Sequence, residues 1–291
     1  MDTKYESEIP SAPPSYNESV DTPITHEMQA TITDKQTQLD ALCIRHDINP
    51  VFAPLLWNLN EKHIIFLCDD SGSMNAIVDN SSKTRWDELK HVVTEVLDIS
   101  LIFDPIGMDV HFLNRTPLNN IRDINTLVPQ FRNPPTGGTP LVTKLTEISR
   151  MYQRSDYYKI SKLLIIATDG EPSDDDHHYP GLKNIMRQLI EQGYHIAFLV
   201  CTDNEDQVAY LNDIDRLYQQ VDVTDDYLTE KRQIQGVQGN KFKFSYGDYI
   251  VKLLAGSFVN SLDLLDEHKL PVAKSKTKRN SSNLHVRCNI L

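Results

Sequence analysis

The 291 residues are 40% hydrophobic and 24% charged, with a formal net charge of -12, which is chain enough for one good-sized core with tails to spare. The acidic balance argues against nucleic acid as a partner, and no run of about 18 apolar residues is present to cross a membrane. Cysteines at 43, 68, 201 and 288 are too few and too scattered for a disulfide framework or a thiolate zinc site.

Residues 1–33 are rich in Pro, Ser, Thr and acidic groups and poor in large apolar ones. Such a segment buries too little surface to offset its chain entropy and is expected to be a disordered tail. Asp2, Glu6, Glu8 and Pro10 stand where a secretory signal needs apolar residues, so the expected location is cytoplasmic. Within this tail Pro13-Pro14-Ser15-Tyr16 resembles the P-P-x-Y ligand of WW domains. Its prolines bias the chain to polyproline II, the form that aromatic grooves bind at low entropic cost. Pro10 to Pro13 is similar to the P-[ST]-A-P peptide read by endosomal-sorting adaptors. Both resemblances imply an adaptor role in trafficking or ubiquitylation, although biased composition also produces short Pro motifs by chance.

Between 34 and 60 a short helical unit is expected. Asp34 can cap it, Leu39, Leu42 and Cys43 share one face, and Pro50 and Pro54 break the pattern into two short helices ending near Leu59. From 61 onward, strands alternate with helices. Ile64 to Cys68 is a continuous apolar run, as in a strand covered on both faces. Thr84 can cap a helix carrying Trp86, Leu89, Val93, Val96 and Leu97 at helical spacing. A strand at 107–113, an irregular stretch, a helix at about 140–153 and a strand at 162–168 follow. A helix near 180–192, a strand at 195–201, a helix near 204–217, a short strand around 219–223 and a last helix near 247–265 complete the pattern. Repeated βα units predict an α/β fold over 61–265, a doubly wound, mainly parallel sheet with helices on both faces. Residues 266–291 read as a basic tail with Lys274, Lys276, Lys278 and Arg279.

In such a sheet ligands bind beyond the carboxyl ends of the strands, and oxygen-bearing residues gather there. Asp69, Ser71 and Ser73 follow the first strand, Asp169 follows the 162–168 strand, and Thr139 lies between them in Gly137-Gly138-Thr139-Pro140. Carboxylates and hydroxyls without sulfur or imidazole form a hard-oxygen set suited to Mg²⁺, with Mn²⁺ and Ca²⁺ as alternatives. Two aspartates roughly balance the ion, while hydroxyls add ligands without adding charge. Taken singly, these residues are also common turn formers and helix caps.

At these positions the chain resembles the von Willebrand factor A (VWA) domain family with its metal-ion-dependent adhesion site, the D-x-S-x-S…T…D pattern being matched in order by Asp69, Ser71, Ser73, Thr139 and Asp169. The resemblance covers about residues 61–265 and implies a Rossmann-like fold. It further implies that the serines bind the metal directly, that the aspartates act largely through water, and that a protein partner's Asp or Glu completes the coordination. Asp70 departs from the expected setting by adding a third carboxylate. The alternative reading is a Mg²⁺-dependent hydrolase or phosphoryl-transfer enzyme with Asp70, Glu171 or Asp174-Asp175-Asp176 as base and His177-His178 nearby. No nucleotide-binding, nucleophile-elbow or metalloprotease motif accompanies it. A non-enzymatic binding module is therefore the expected class.

The chain ends Cys288-Asn289-Ile290-Leu291, which resembles a C-a-a-X prenylation signal, with Asn289 as a departure. The basic residues upstream would add attraction to an anionic inner membrane surface, about 1 kcal/mol each. Protein made in a prenylating host should exceed its polypeptide mass by one isoprenoid, read by intact mass spectrometry. A mass equal to the bare chain would remove the lipid.

Overall fold

Seven residues, Lys62–Cys68, form the central strand β1, and all but the first are buried. A computed structural model describes residues 26–78, 81–153, 160–202 and 204–269. In it, β1 is joined by β2 (Met108–Phe112), β3 (Leu118–Ile121), β4 (Ser161–Thr168), β5 (Tyr194–Val200) and β6 (Val221–Thr224). They make one six-stranded sheet in the order β3-β2-β1-β4-β5-β6. Only β3 runs antiparallel, to β2; the other pairings are parallel. β1 and β4 pair in continuous register from Lys62 opposite Ser161 to Cys68 opposite Ala167.

Alternate side chains of β1 enter opposite cores, as strand geometry requires. Ile64, Phe66 and Cys68 pack with buried residues of α1 (His26–Arg45), α2 (Arg85–Phe103) and α8 (Tyr246–Ala255). Ile65 and Leu67 pack with those of α4 (Leu141–Gln153), α5 (Pro180–Glu191) and α6 (Ala209–Leu217). The doubly wound α/β architecture expected from the alternation is the one present. α2 starts where Thr84 accepts a hydrogen bond from the Asp87 N–H, in a full capping box. No helix of the described residues is long and apolar enough to cross a membrane.

Several expected boundaries move. α1 begins at His26, so the expected tail of 1–33 gives way to helix at its end. No Pro or Gly lies between His26 and Asp34 to stop it. Asp34 is interior to the helix and exposed, and accepts from the Gln38 side chain instead of capping. Leu39 and Leu42, with Leu56 and Leu59 from the 3₁₀ segment Ala53–Leu59, lie in the same core as β1, so 34–60 is part of this domain. The stretch after 113, expected to be irregular, holds the edge strand β3 and the single turn α3 (Ile124–Leu127). α7 (Tyr227–Gln238) escapes apolar periodicity because it buries only Glu230 and Ile234. The last expected helix divides: α8 ends at Ala255, then come a 3₁₀ turn and α9 (Asn260–Asp263). At that break a Cβ on Gly256 would stand 2.3 Å from Asp222 Oδ2, so only glycine lets the chain pass.

At the amino end of the sheet a charged knot is buried. His63 contacts Asp104 through Nδ1 at 2.8 Å and Asp109 through Nε2 at 3.0 Å, and the Tyr152 hydroxyl donates to Asp109. Burial alone would lower the imidazole's pKa, but the two hydrogen-bonded carboxylates overcome it and raise it to about 9. The stability this gives is fully present below the unfolded histidine pKa of about 6.5 and is lost as pH rises through about 9. Relative to wild type, His63→Gln should be weaker by an amount on the order of 3 kcal/mol near pH 6, the gap closing towards pH 10. Urea midpoints of both proteins across that range test this, and a gap that ignores pH would show that charge is not its source.

Candidate metal centre

The sheet's strand order reverses between β1 and β4: the chain leaves β1 towards β2 on one side and leaves β4 towards β5 on the other. The loops after these strands therefore diverge and open a crevice at the carboxyl edge. Asp69 and Asp169 are the first residues beyond the two strands. The Asp69 N–H donates to the Ala167 carbonyl at 2.9 Å, which carries the strand pairing one residue into the loop.

Four of the five expected ligands join in one chain of hydrogen bonds. Asp69 Oδ1 accepts from the Ser71 N–H at 2.9 Å, and its Oδ2 accepts from Thr168 Oγ1 at 2.8 Å. Ser71 Oγ and Ser73 Oγ are 3.0 Å apart, and Ser73 Oγ donates to Asp169 Oδ1 at 2.8 Å. Thr139 is held beside them by backbone ties. The Gly72 N–H donates to the Gly137 carbonyl at 3.1 Å. The Thr139 N–H donates to Ser173 Oγ at 3.1 Å, and its carbonyl accepts from the Ser173 N–H at 2.9 Å. The Thr139 loop thus bridges the loops after β1 and β4. Asp69, Ser71, Thr139 and Asp169 are buried, while Ser73 is exposed. Burial, reinforced by Asp169 and opposed by the Ser71 and Thr168 hydrogen bonds, pushes the Asp69 carboxyl up to about 6.

Asp70, expected as a third carboxylate beside the site, organises the loops instead. Its Oδ1 accepts from the Asn114 N–H at 2.7 Å and from the Asn114 side chain at 3.1 Å, and its Oδ2 pairs with Arg115 Nε at 3.1 Å. Arg115 in turn donates to the carbonyls of Gln130, Asn133 and Pro134, and Asn114 to that of Gly138. One carboxylate therefore fixes the approach to Thr139 through two intermediaries. Sequence reasoning had no means to find Asn114 or Arg115, whose shared partner Asp70 lies 44 and 45 positions away.

Sequence reasoning also missed Arg85. The first residue of α2, it donates to Asp169 Oδ2 at 2.7 Å and to Thr202 Oγ1 at 2.7 Å. A cation already stands against one of the candidate ligands. The oxygen-only donor set has the chemistry of a hard divalent ion's ligands. Among the described residues no group of three or more His, Cys, Asp or Glu is placed to hold a metal, so the hydroxyls are indispensable to any such site. Asp69 and Asp169 would supply charge, and Ser71, Ser73 and Thr139 neutral oxygens.

The acidic run after β4 has structural work. Asp174 accepts from the Val142 and Thr143 N–H groups at the start of α4, and Asp175 from the Gly181 and Leu182 N–H groups at the start of α5. Pro13, Pro14, Tyr16 and Cys288 lie outside the described residues.

Gly137 has φ +108°, and a Cβ there would stand 2.6 Å from Asn114 Oδ1. Gly137→Ala combines backbone strain with a clash, and thermal unfolding should show a loss of about 1–3 kcal/mol. Compared with known proteins, the chain matches no protein-family model and no curated protein.

Proposed function

We propose that the chain is a non-enzymatic, VWA-like binding module in which Asp69, Ser71, Ser73, Thr139 and Asp169 hold one divalent cation, Mg²⁺ or alternatively Mn²⁺ or Ca²⁺. An Asp or Glu carboxylate of a protein partner completes the coordination. The observation that carries this reading is the unbroken hydrogen-bonded chain from Asp69 through Ser71 and Ser73 to Asp169 at the point where strand order reverses. Hydroxyl oxygens that now contact one another and a carboxylate are already grouped as neighbours around one ion would be. A bound cation polarises an incoming carboxylate, and Ser73, the exposed member, marks the side from which it enters.

The hydrolase alternative loses three of its proposed bases, Asp70 being engaged with Asn114 and Arg115, and Asp174 and Asp175 at helix starts. In the same proposal the Pro13-Pro14-Ser15-Tyr16 segment recruits WW-domain proteins and Cys288 carries a lipid. The module would then act in the cytoplasm, presented at the inner membrane surface, as an adaptor in trafficking or ubiquitylation.

Asp69→Ala and Asp169→Ala should each weaken Mn²⁺ binding by tenfold or more, as read by titration calorimetry. Each should also remove the partners captured by wild type, as EDTA does. Partners retained through both the chelator and the substitutions would overturn the reading.

A further inference from the structure

We propose that Arg85 is the resident counter-ion of this site, and that a divalent cation binds by displacing its guanidinium from Asp169. The inference rests on the metal reading above and adds to it the residue that sets the affinity. Both oxygens of Asp169 are taken: Oδ1 by the Ser73 hydroxyl at 2.8 Å and Oδ2 by Arg85 at 2.7 Å. The Arg85 side chain is 14% exposed and the Asp169 side chain 0%, so water screens the pair little.

Arg85 is anchored from outside the metal loops. Its Cα opens α2 behind the Thr84 cap, and its second nitrogen is held by Thr202, beyond the end of β5. The guanidinium is thus aimed at Asp169 by elements that do not depend on the ion. A dication arriving beside it meets direct charge repulsion, and Asp169 cannot serve both cations at full strength. Asp69, by contrast, accepts from the neutral donors Ser71 and Thr168 and from no cation among the described residues, so the two aspartates start unequal.

The displaced side chain has a destination. A cavity of about 410 Å³ next to the site is lined by Arg85 itself, Glu88, Cys201, Asp226, Tyr227 and Tyr246. Glu88 lies one helical turn along α2, at the i+3 spacing at which side chains meet. Asp226 stands opposite, close enough for its charge to raise the Glu88 pKa further beyond the effect of burial. A guanidinium turned away from Asp169 meets the carboxylates of Glu88 and Asp226, and the ion takes the place it leaves.

The test is Mn²⁺ affinity at constant pH and ionic strength, read from the free-ion electron paramagnetic resonance signal, for wild type, Arg85→Gln and Thr202→Val. Neither substitution replaces a ligand. Arg85→Gln removes the competing charge and should bind Mn²⁺ about tenfold more tightly, a shift well within what one unit charge at this range exerts. Thr202→Val keeps the charge but loosens its anchor and should tighten binding a few-fold. It also carries the test should Arg85→Gln fail to fold. Affinities unchanged or weaker in these variants, with wild type binding the ion, would overturn the counter-ion role alone. No binding in any of the three proteins would overturn the metal reading and this inference with it.

Discussion

The seven-residue parallel pairing of β1 with β4 governs the upper rim of the molecule. Each strand of the pair is buried on both faces, and their registered ends release Asp69 and Asp169 side by side. The chain connections leave in opposite directions from there, which opens the crevice that the Thr139 loop enters. The pairing runs past the last ladder residue through the Asp69 N–H, and Thr168 at the end of β4 returns a hydroxyl to Asp69 Oδ2. A slip of one residue would turn Asp69 and Asp169 to the other face of the sheet and scatter the candidate site. The apolar core therefore sets the geometry of the polar site.

A second layer holds the loops that the sheet cannot reach. Thr139 arrives from a segment that contributes nothing to the sheet and is placed by short backbone ties and by Arg115. The guanidinium of Arg115 stacks 5.0 Å over Trp86 while donating to three carbonyls. Planar cations suit such a junction because they supply several donors in fixed directions while tolerating an aromatic face. Asp70 makes this arrangement tolerable. It is itself buried, and Asn114 and Arg115 counter the burial that raises its pKa. Two adjacent aspartates thus divide the labour, Asp69 facing the crevice and Asp70 bracing the loop that brings Thr139 to it.

The α/β alternation was legible because each strand writes a short apolar run and each of the main helices an apolar face, and these signals are local. Thr84 was readable as a cap for the same reason: its partner Asp87 is three residues away. The five oxygen-bearing residues could be gathered because they occupy the strand ends and a glycine-loosened loop. Elements stabilised from a distance were not legible. β3 alternates poorly, with two of its four residues exposed. α7 holds Glu230 against Lys252 of α8, 3.2 Å apart and both buried, and no periodicity count registers an ion pair as a core contact. Arg85 sat in plain view at the start of a well-read helix, but nothing nearby shows that its guanidinium spans residues 84 and 117 positions further on.

The two ends of the sheet treat buried charge differently, and the difference bears on function. At the amino end His63 lies between Asp104 and Asp109, with Tyr152 added to Asp109. Both ring nitrogens are used, and a network so satisfied holds structure and leaves nothing to offer a ligand. At the carboxyl end, among the described residues, two buried aspartates share neutral hydroxyl and amide donors and a guanidinium bound to Asp169 alone of the two. A carboxylate raised to about 6 by burial and by its neighbour is an incompletely compensated charge. Such groups are retained where something else supplies the compensation. At its other end the chain sets a single buried imidazolium in direct contact with both carboxylates. The lack of a cation against Asp69 among the described residues is thus a local property of this rim.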